Sequence, residues 1–181
     1  NFHCESTMPC DEILSLLRRY LPEDIGIYSC KNVSPRFHAR LNAKTKTYLY
    51  RVWNSDQPCV FERKFVHIDP RPLNLDAMAE AARYFIGEHD FAAFCANKRM
   101  KKSTVRYIHD FTVSRVGDEI HFTVTGNGFL HHMVRIMVGT LLEVGKAERS
   151  PESINHLFTA VRSDAGALIP ANGLCLMEVT Y

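Results

Sequence analysis

Residues 128–146, GFLHHMVRIMVGTLLEVGK, form one of the most apolar stretches of this chain, yet His131, His132 and Arg135 stand near its start. Groups of these types can hold a metal, cap a helix or meet an anion. Neighbours on a helix point about 100° apart, so His131 and His132 would not reach one metal, and the i, i+4 spacing of a zinc-binding H-E-x-x-H is missing. The expectation is no metal, with the histidines at the helix start. Arg135 demands more. Flanked by Val134, Ile136 and Val138, its guanidinium is costly unless a carboxylate or phosphate meets it, so an anion is expected beside it.

Two further segments carry charge without a single acid. Residues 31–51 hold Lys31, Arg36, Arg40, Lys44, Lys46 and Arg51 together with His38, and residues 97–106 hold Lys98, Arg99, Lys101, Lys102 and Arg106, close behind Phe91 and Phe94. A solvated basic face accounts for either alone. Basic clusters interleaved with aromatic rings also suit RNA, where Lys and Arg meet phosphates and rings stack on unpaired bases.

The elements that must position these residues follow from periodicity. Residues 11–20 begin acidic, end basic and repeat apolar positions at helical spacing, so they predict a helix that Pro22 stops. Residues 74–86 predict a second helix, with Asn74 as N-cap and Gly87 as its end. Residues 25–33 and 46–53, rich in Tyr, Val, Ile and Thr, predict strands. Residues 107–116 and 119–125 predict a hairpin around Gly117 and Asp118, since Ile120, Phe122 and Val124 alternate with polar neighbours. The apolar 128–146 helix comes next, then a short helix begun by Ser150-Pro151, and 174–179 close the chain as a strand. Antiparallel hairpins with laterally packed helices mean an α+β protein.

Whole-chain properties narrow the classes. At 181 residues, 46% hydrophobic and 23% charged, the chain can bury a real core. Its apolar runs are broken well short of the roughly 18 residues of a membrane span, and no signal peptide opens it, so a cytoplasmic location is expected. Six cysteines without a C-x-x-C pair predict buried free thiols rather than a disulfide or zinc framework. The net charge of +2 alone names no partner. The chain opens NFHCESTMPC, without Met and with Phe2 resembling the tail of a strand, and is expected to be an excerpt of a longer protein.

Taken together, FHAR with K-T-Y-L-Y across residues 37–50, GEHDFAAF at 87–94, GNGFLHHMVRIMVGTLLEVGK at 126–146 and the closing GLCLMEVTY resemble the C-terminal part of the tRNA pseudouridine synthase A family. The resemblance runs over nearly the whole chain. It implies a mixed, largely antiparallel sheet flanked by helices, with residues 1–181 as one compact domain whose residues 1–35 belong to the region between two similar halves. It implies isomerisation of uridine to pseudouridine in the anticodon stem-loop of tRNA, without cofactor or metal, and a homodimer.

Matched position by position, Tyr48 falls on the family's active-site tyrosine, which lies against the target uracil with a part in proton transfer. Arg135 falls on the arginine that pairs with the catalytic aspartate. From the basic segments, Arg40 and Lys46 are expected to contact RNA; His131 and His132 are expected to cap the helix and line the RNA side, and their separate duties stay open. A tyrosine on a strand is also a common core residue, as Tyr50 illustrates. The family's nucleophilic aspartate lies in a G-R-T-D-A-G segment that these residues do not contain and that is expected upstream of Asn1. The RSDAG at 162–166 is a decoy: Asp164 follows the last helix and leads into the closing strand. This chain alone is therefore expected to be inactive. A non-catalytic RNA-binding module is the alternative, to be discriminated by the upstream sequence. A small-molecule metallohydrolase would need bound metal.

Overall fold

The computed structural model describes residues 1–97 and 101–181; Lys98 and Arg99 of the second basic segment lie outside them. The chain packs as two units, Asn1–Asn42 and Ala43–Tyr181.

In the first unit, α1 (Cys10–Tyr20) carries Asp11 and Glu12 in its first turn and Arg18 and Arg19 in its last, the arrangement that suits its dipole. The strand expected at 25–33 does not form. Strand residues need a neighbour's ladder, and here Arg18 takes the carbonyls instead, donating from Nε to Ile27 O at 2.8 Å and from an Nη to Tyr28 O at 3.0 Å. Residues 1–9 are irregular too. Asn1 bridges to the FHAR loop, its side chain bonded to Phe37 O and to Ala39 N.

The second unit is α+β: a mixed, mostly antiparallel six-stranded sheet with helices on one face. Its strands are β1 (Thr45–Trp53), β2 (His67–Ile68), β3 (Gly87–Asp90), β4 (Val105–Val116), β5 (Glu119–Gly126) and β6 (Leu174–Thr180). They run in the order β2-β1-β5-β4-β3, with β6 also paired to β1. The short β2 is parallel to β1; the other pairings are antiparallel. The β1–β6 register shifts by one residue: Thr47 faces Glu178 but Tyr48 faces Leu176.

Helices α2 (Leu75–Arg83) and α3 (Met133–Gly145) cover the inner face, and the short α4 (Ile154–Leu157) follows a 3-10 turn at Pro151–Ser153. Asn74 caps α2, its side chain accepting from Ala77 N at 3.0 Å. Tyr50, Val52, Ile120, Phe122 and Val124 point into the core with Met133, Ile136, Met137 and Leu141 of α3. Each such large side chain stabilises the fold by about 2 kcal/mol on burial.

Phe91 and Phe94, expected to stack on bases, belong to this core. Both are fully buried and pack with Phe85 and Phe158, because a 3-10 turn at Ala92–Phe94 rolls them inward. Buried thiols were expected, but of the six cysteines only Cys59 and Cys95 are buried; Cys4 and Cys175 are exposed. No described helix is long and apolar enough to cross a membrane.

Candidate active site

The helix expected over 128–146 starts at Met133, so His131 and His132 occupy the turn before it. That overturns the helical-angle argument used for them: their rings stack at 3.7 Å with planes 28° apart instead of diverging. His132 is the N-cap, held at φ 63° in the left-handed region, and its side chain makes no capping bond. Its Nδ1 is buried and has no partner among the described residues. Burial, then the neighbouring His131 and Arg135, push its pKa below the ordinary value. A non-glycine residue at such φ with an orphan buried nitrogen is the kind of strain that collects at functional sites. Among the described residues no group of three His, Cys, Asp or Glu side chains is arranged to hold a metal ion.

Eleven of the thirteen residues of α3 are buried; the exceptions are Arg135 and Glu143, both half-buried. Arg135 Nε donates to the Ile169 carbonyl at 2.7 Å. Among the described residues no ion pair includes Arg135. Among the described residues no side chain supplies the anion expected beside it, and a neutral carbonyl leaves the positive charge intact.

Tyr48 and Tyr50 are two apart on β1 and so share one face of the sheet, the face α3 covers. Tyr50 is the core tyrosine: fully buried, its hydroxyl donates to Pro170 O at 2.7 Å. Burial pushes its pKa up, and the Arg135 charge nearby pulls it the other way. Tyr48 is only half-buried and stands edge-on to Phe129, with centroids 5.1 Å apart. Phe129 in turn leans on Gly126, where an added Cβ would come within 3.2 Å of its ring. Neither Phe129 nor a role for Tyr50 was foreseen; the G-N-G-F spacing that seats the ring was the available signal.

The basic residues fare differently. Lys46 is half-buried near the start of β1, and Arg40 is exposed in the first unit. Arg51 is no part of a basic rim. It grips Glu119 side-on at 2.7 and 2.6 Å and reaches Glu62 at 3.0 Å. This cluster occupies the outer face, opposite Tyr48 and Tyr50. Arg51, then His121, hold the Glu119 carboxyl below its usual range against the opposing effect of burial. The other buried carboxylate, Asp69, is clamped by Arg71 at 2.7 and 2.6 Å. Asp164 is exposed and accepts from Val161 N at 3.2 Å, closing a surface turn.

The helix-covered face of the sheet thus carries the half-buried Tyr48, and α3 carries an arginine with no ion-pair partner among the described residues. Residues 81–181 match the family described as tRNA pseudouridine synthase. Over its full length the chain is 40% identical to tRNA pseudouridine synthase A of Brevibacillus brevis, covering 75% of that protein. It is 43% identical to tRNA pseudouridine synthase A 1 of Clostridium tetani, again over its full length and covering 74%. With tRNA pseudouridine synthase A of Bacillus sp. strain KSM-64 it shares 42% over 94% of its residues, covering 70%. The chain belongs to the tRNA pseudouridine synthase A family.

Proposed function

We propose that this chain supplies the Tyr48 and Arg135 side of a uridine-to-pseudouridine isomerase acting on the anticodon stem-loop of tRNA. The observation that carries the reading is Arg135: partly buried, beside Tyr50 and on the face Tyr48 shares, with its charge unmatched by any described carboxylate. In this reaction the C1′ to N1 bond breaks, the uracil turns, and it is rejoined through C5. A carboxylate adds to the nucleotide or assists its elimination, and an arginine beside it keeps it ionised and aimed. Arg135 takes that part. Tyr48 takes the aromatic surface against which an unstacked uracil lies, and Phe129 steers its ring. Arg40 and Lys46 grip phosphates, and His131 and His132 line the RNA side.

The nucleophilic aspartate belongs to a G-R-T-D-A-G segment that is not among these 181 residues. The two buried acids, Glu119 and Asp69, are each engaged by another arginine, and Asp164 is a turn residue. These residues alone therefore make no pseudouridine. Purified chain incubated with a uridine-bearing stem-loop is expected to give no product by pseudouridine-selective chemical labelling, and to gain turnover when a polypeptide bearing the G-R-T-D-A-G segment is added. Turnover by the chain alone that vanishes in Asp164→Ala would overturn this. A non-catalytic RNA-binding module is the reading left if the added polypeptide restores nothing. The same resemblance carries a homodimer, which sedimentation velocity tests.

A further inference from the structure

The segment 165–170 runs along α3 on the stripe of Arg135, Gly139, Thr140 and Glu143. Ala167 N donates to Glu143 Oε1 at 3.2 Å, Gly166 N donates to Thr140 Oγ1 at 3.0 Å, and Ile169 O accepts from Arg135 Nε. Glycines permit the approach. A Cβ on Gly139 would lie 2.1 Å from Ala167 O, and one on Gly166 2.6 Å from the backbone of Thr140. The strap meets α3 through its backbone as well as through the buried side chains of Ala165 and Ile169, while its Leu168 is left exposed. Beside that packing, the backbone contacts fix two carbonyls. Those of Ile169 and Pro170, consecutive in the chain, are taken by Arg135 Nε and by the Tyr50 hydroxyl, each at 2.7 Å.

We infer that Tyr50 and the strap 165–170 are a positioning element that holds the Nη edge of Arg135 ready for a carboxylate. This rests on the reading of Arg135 given above. A guanidinium is a rigid planar fork. Once its Nε–H is committed to a fixed carbonyl, the long side chain loses its freedom and both Nη groups stay available for side-on or end-on pairing. Because the fixing group is neutral, it orients the arginine without sharing its charge. Tyr50, held neutral by burial, stays a hydrogen-bond donor across the working pH range and anchors Pro170. Gly173 lets the chain after the strap pass the Tyr50 ring, which an added Cβ would approach to 2.9 Å.

The test titrates sodium formate, a minimal carboxylate, into the purified 15N-labelled protein at constant ionic strength. It reads the Arg135 Nε–H signal and the Ile169 amide. Wild type is expected to give a saturable shift at both. Tyr50→Phe is expected to weaken formate binding roughly three- to ten-fold, the worth of one neutral hydrogen bond, and to speed exchange of the Arg135 Nε–H. Ile154→Val, a core change outside the strap, should lower the melting temperature and leave both readouts alone. If Tyr50→Phe does not fold, fluorotyrosine at position 50 keeps the ring and makes the hydroxyl a stronger donor, so tighter formate binding and slower exchange of the Arg135 Nε–H are expected. Unchanged formate affinity and exchange in the Tyr50 variants, with the response abolished by Arg135→Lys, would overturn the positioning role and leave the reading of Arg135 standing. A wild-type response at Ile169 in Arg135→Lys, or a shift matched by chloride, would overturn both.

Discussion

The ring of Phe129 stands edge-on to that of Tyr48, with centroids 5.1 Å apart and planes at 86°. A ring clamped in this way keeps one face and its hydroxyl oriented without a hydrogen bond of its own. Tyr48→Ala should weaken binding of a uridine-bearing stem-loop by about 1 to 3 kcal/mol, the worth of one base–aromatic stack. Phe129→Ala should cost less, about 0.5 to 1.5 kcal/mol, because it removes only the aromatic pair that steers the tyrosine. Fluorescence anisotropy with labelled RNA measures both, and a larger loss for Phe129 than for Tyr48 contradicts this order.

Gly139 has no room for a side chain, since its Cβ would sit 2.1 Å from the Ala167 carbonyl. Gly139→Ala should therefore destabilise the protein by about 1 to 3 kcal/mol, the range for overpacked sites. At Gly26 an added Cβ meets nothing within 4 Å. There the same change should be neutral or stabilising by about 0.5 kcal/mol, because it restricts the unfolded chain. Urea denaturation of the two variants decides.

Acid should unfold the protein in two stages. Burial, with help from Arg71 and Lys146, lowers the pKa of His67 below its usual 6.5 although Asp69 works against this. Below about pH 6.5 the unfolded state thus binds protons that folded His67 refuses, and stability falls as pH drops toward the folded value. Asp69 and Glu119, held below their usual 3.8 and 4.5 by Arg71 and Arg51 in spite of burial, add a second loss. Their contribution is complete above the unfolded values and disappears as pH falls through the folded ones. His67→Gln should shrink the first decline and spare the second when denaturation midpoints are followed from pH 8 to 3. A stability that rises from pH 7 to 5 would reverse the sign and refute the assignment.

Arg40 and Lys46 are assigned to phosphates, so charge reversal at either should weaken stem-loop binding uniformly across sequences. Each should also reduce the steepness of its salt dependence, by about one unit of slope per lost phosphate contact. Arg51→Glu is the contrast. Its charge is spent on Glu119 and Glu62, so that change should cost stability and leave the salt slope alone. Equal slopes for all three variants would count against the division.

Where one strong local pattern governs an element, the sequence reading and the structure agree. The 3.6 period and Asn74 give α2, and alternation around Ile120, Phe122 and Val124 gives β5. Elements that exist only through a neighbour escaped. Strand β2 is two residues long and owes its form to pairing with β1, while 25–33 has strand composition but no ladder to join. The same division runs through the site. Arg135 was conspicuous because a charge in an apolar helix must be explained. Phe91 and Phe94 misled because composition does not say which way a ring turns. The strap was invisible because it acts through carbonyls, which every residue has. R-S-D-A-G was noticed for its aspartate, whereas its glycine is the residue that touches α3.

The one-residue shift between β1 and β6 works as a parity switch. Alternation along a strand assigns side chains to faces by odd and even count, and the unmatched Met177 changes the count midway. Before it, Leu174 and Leu176 pair with Tyr50 and Tyr48 and share their inner face. Beyond it, Glu178 pairs with Thr47 and turns outward, while Val179 pairs with Lys46. Had the strand kept its count, the carboxylate would share a face with Lys46 and Tyr48. A single extra residue thus sorts charge between the two sides of the sheet, and the side of Tyr48 keeps its lysine unopposed by this acid.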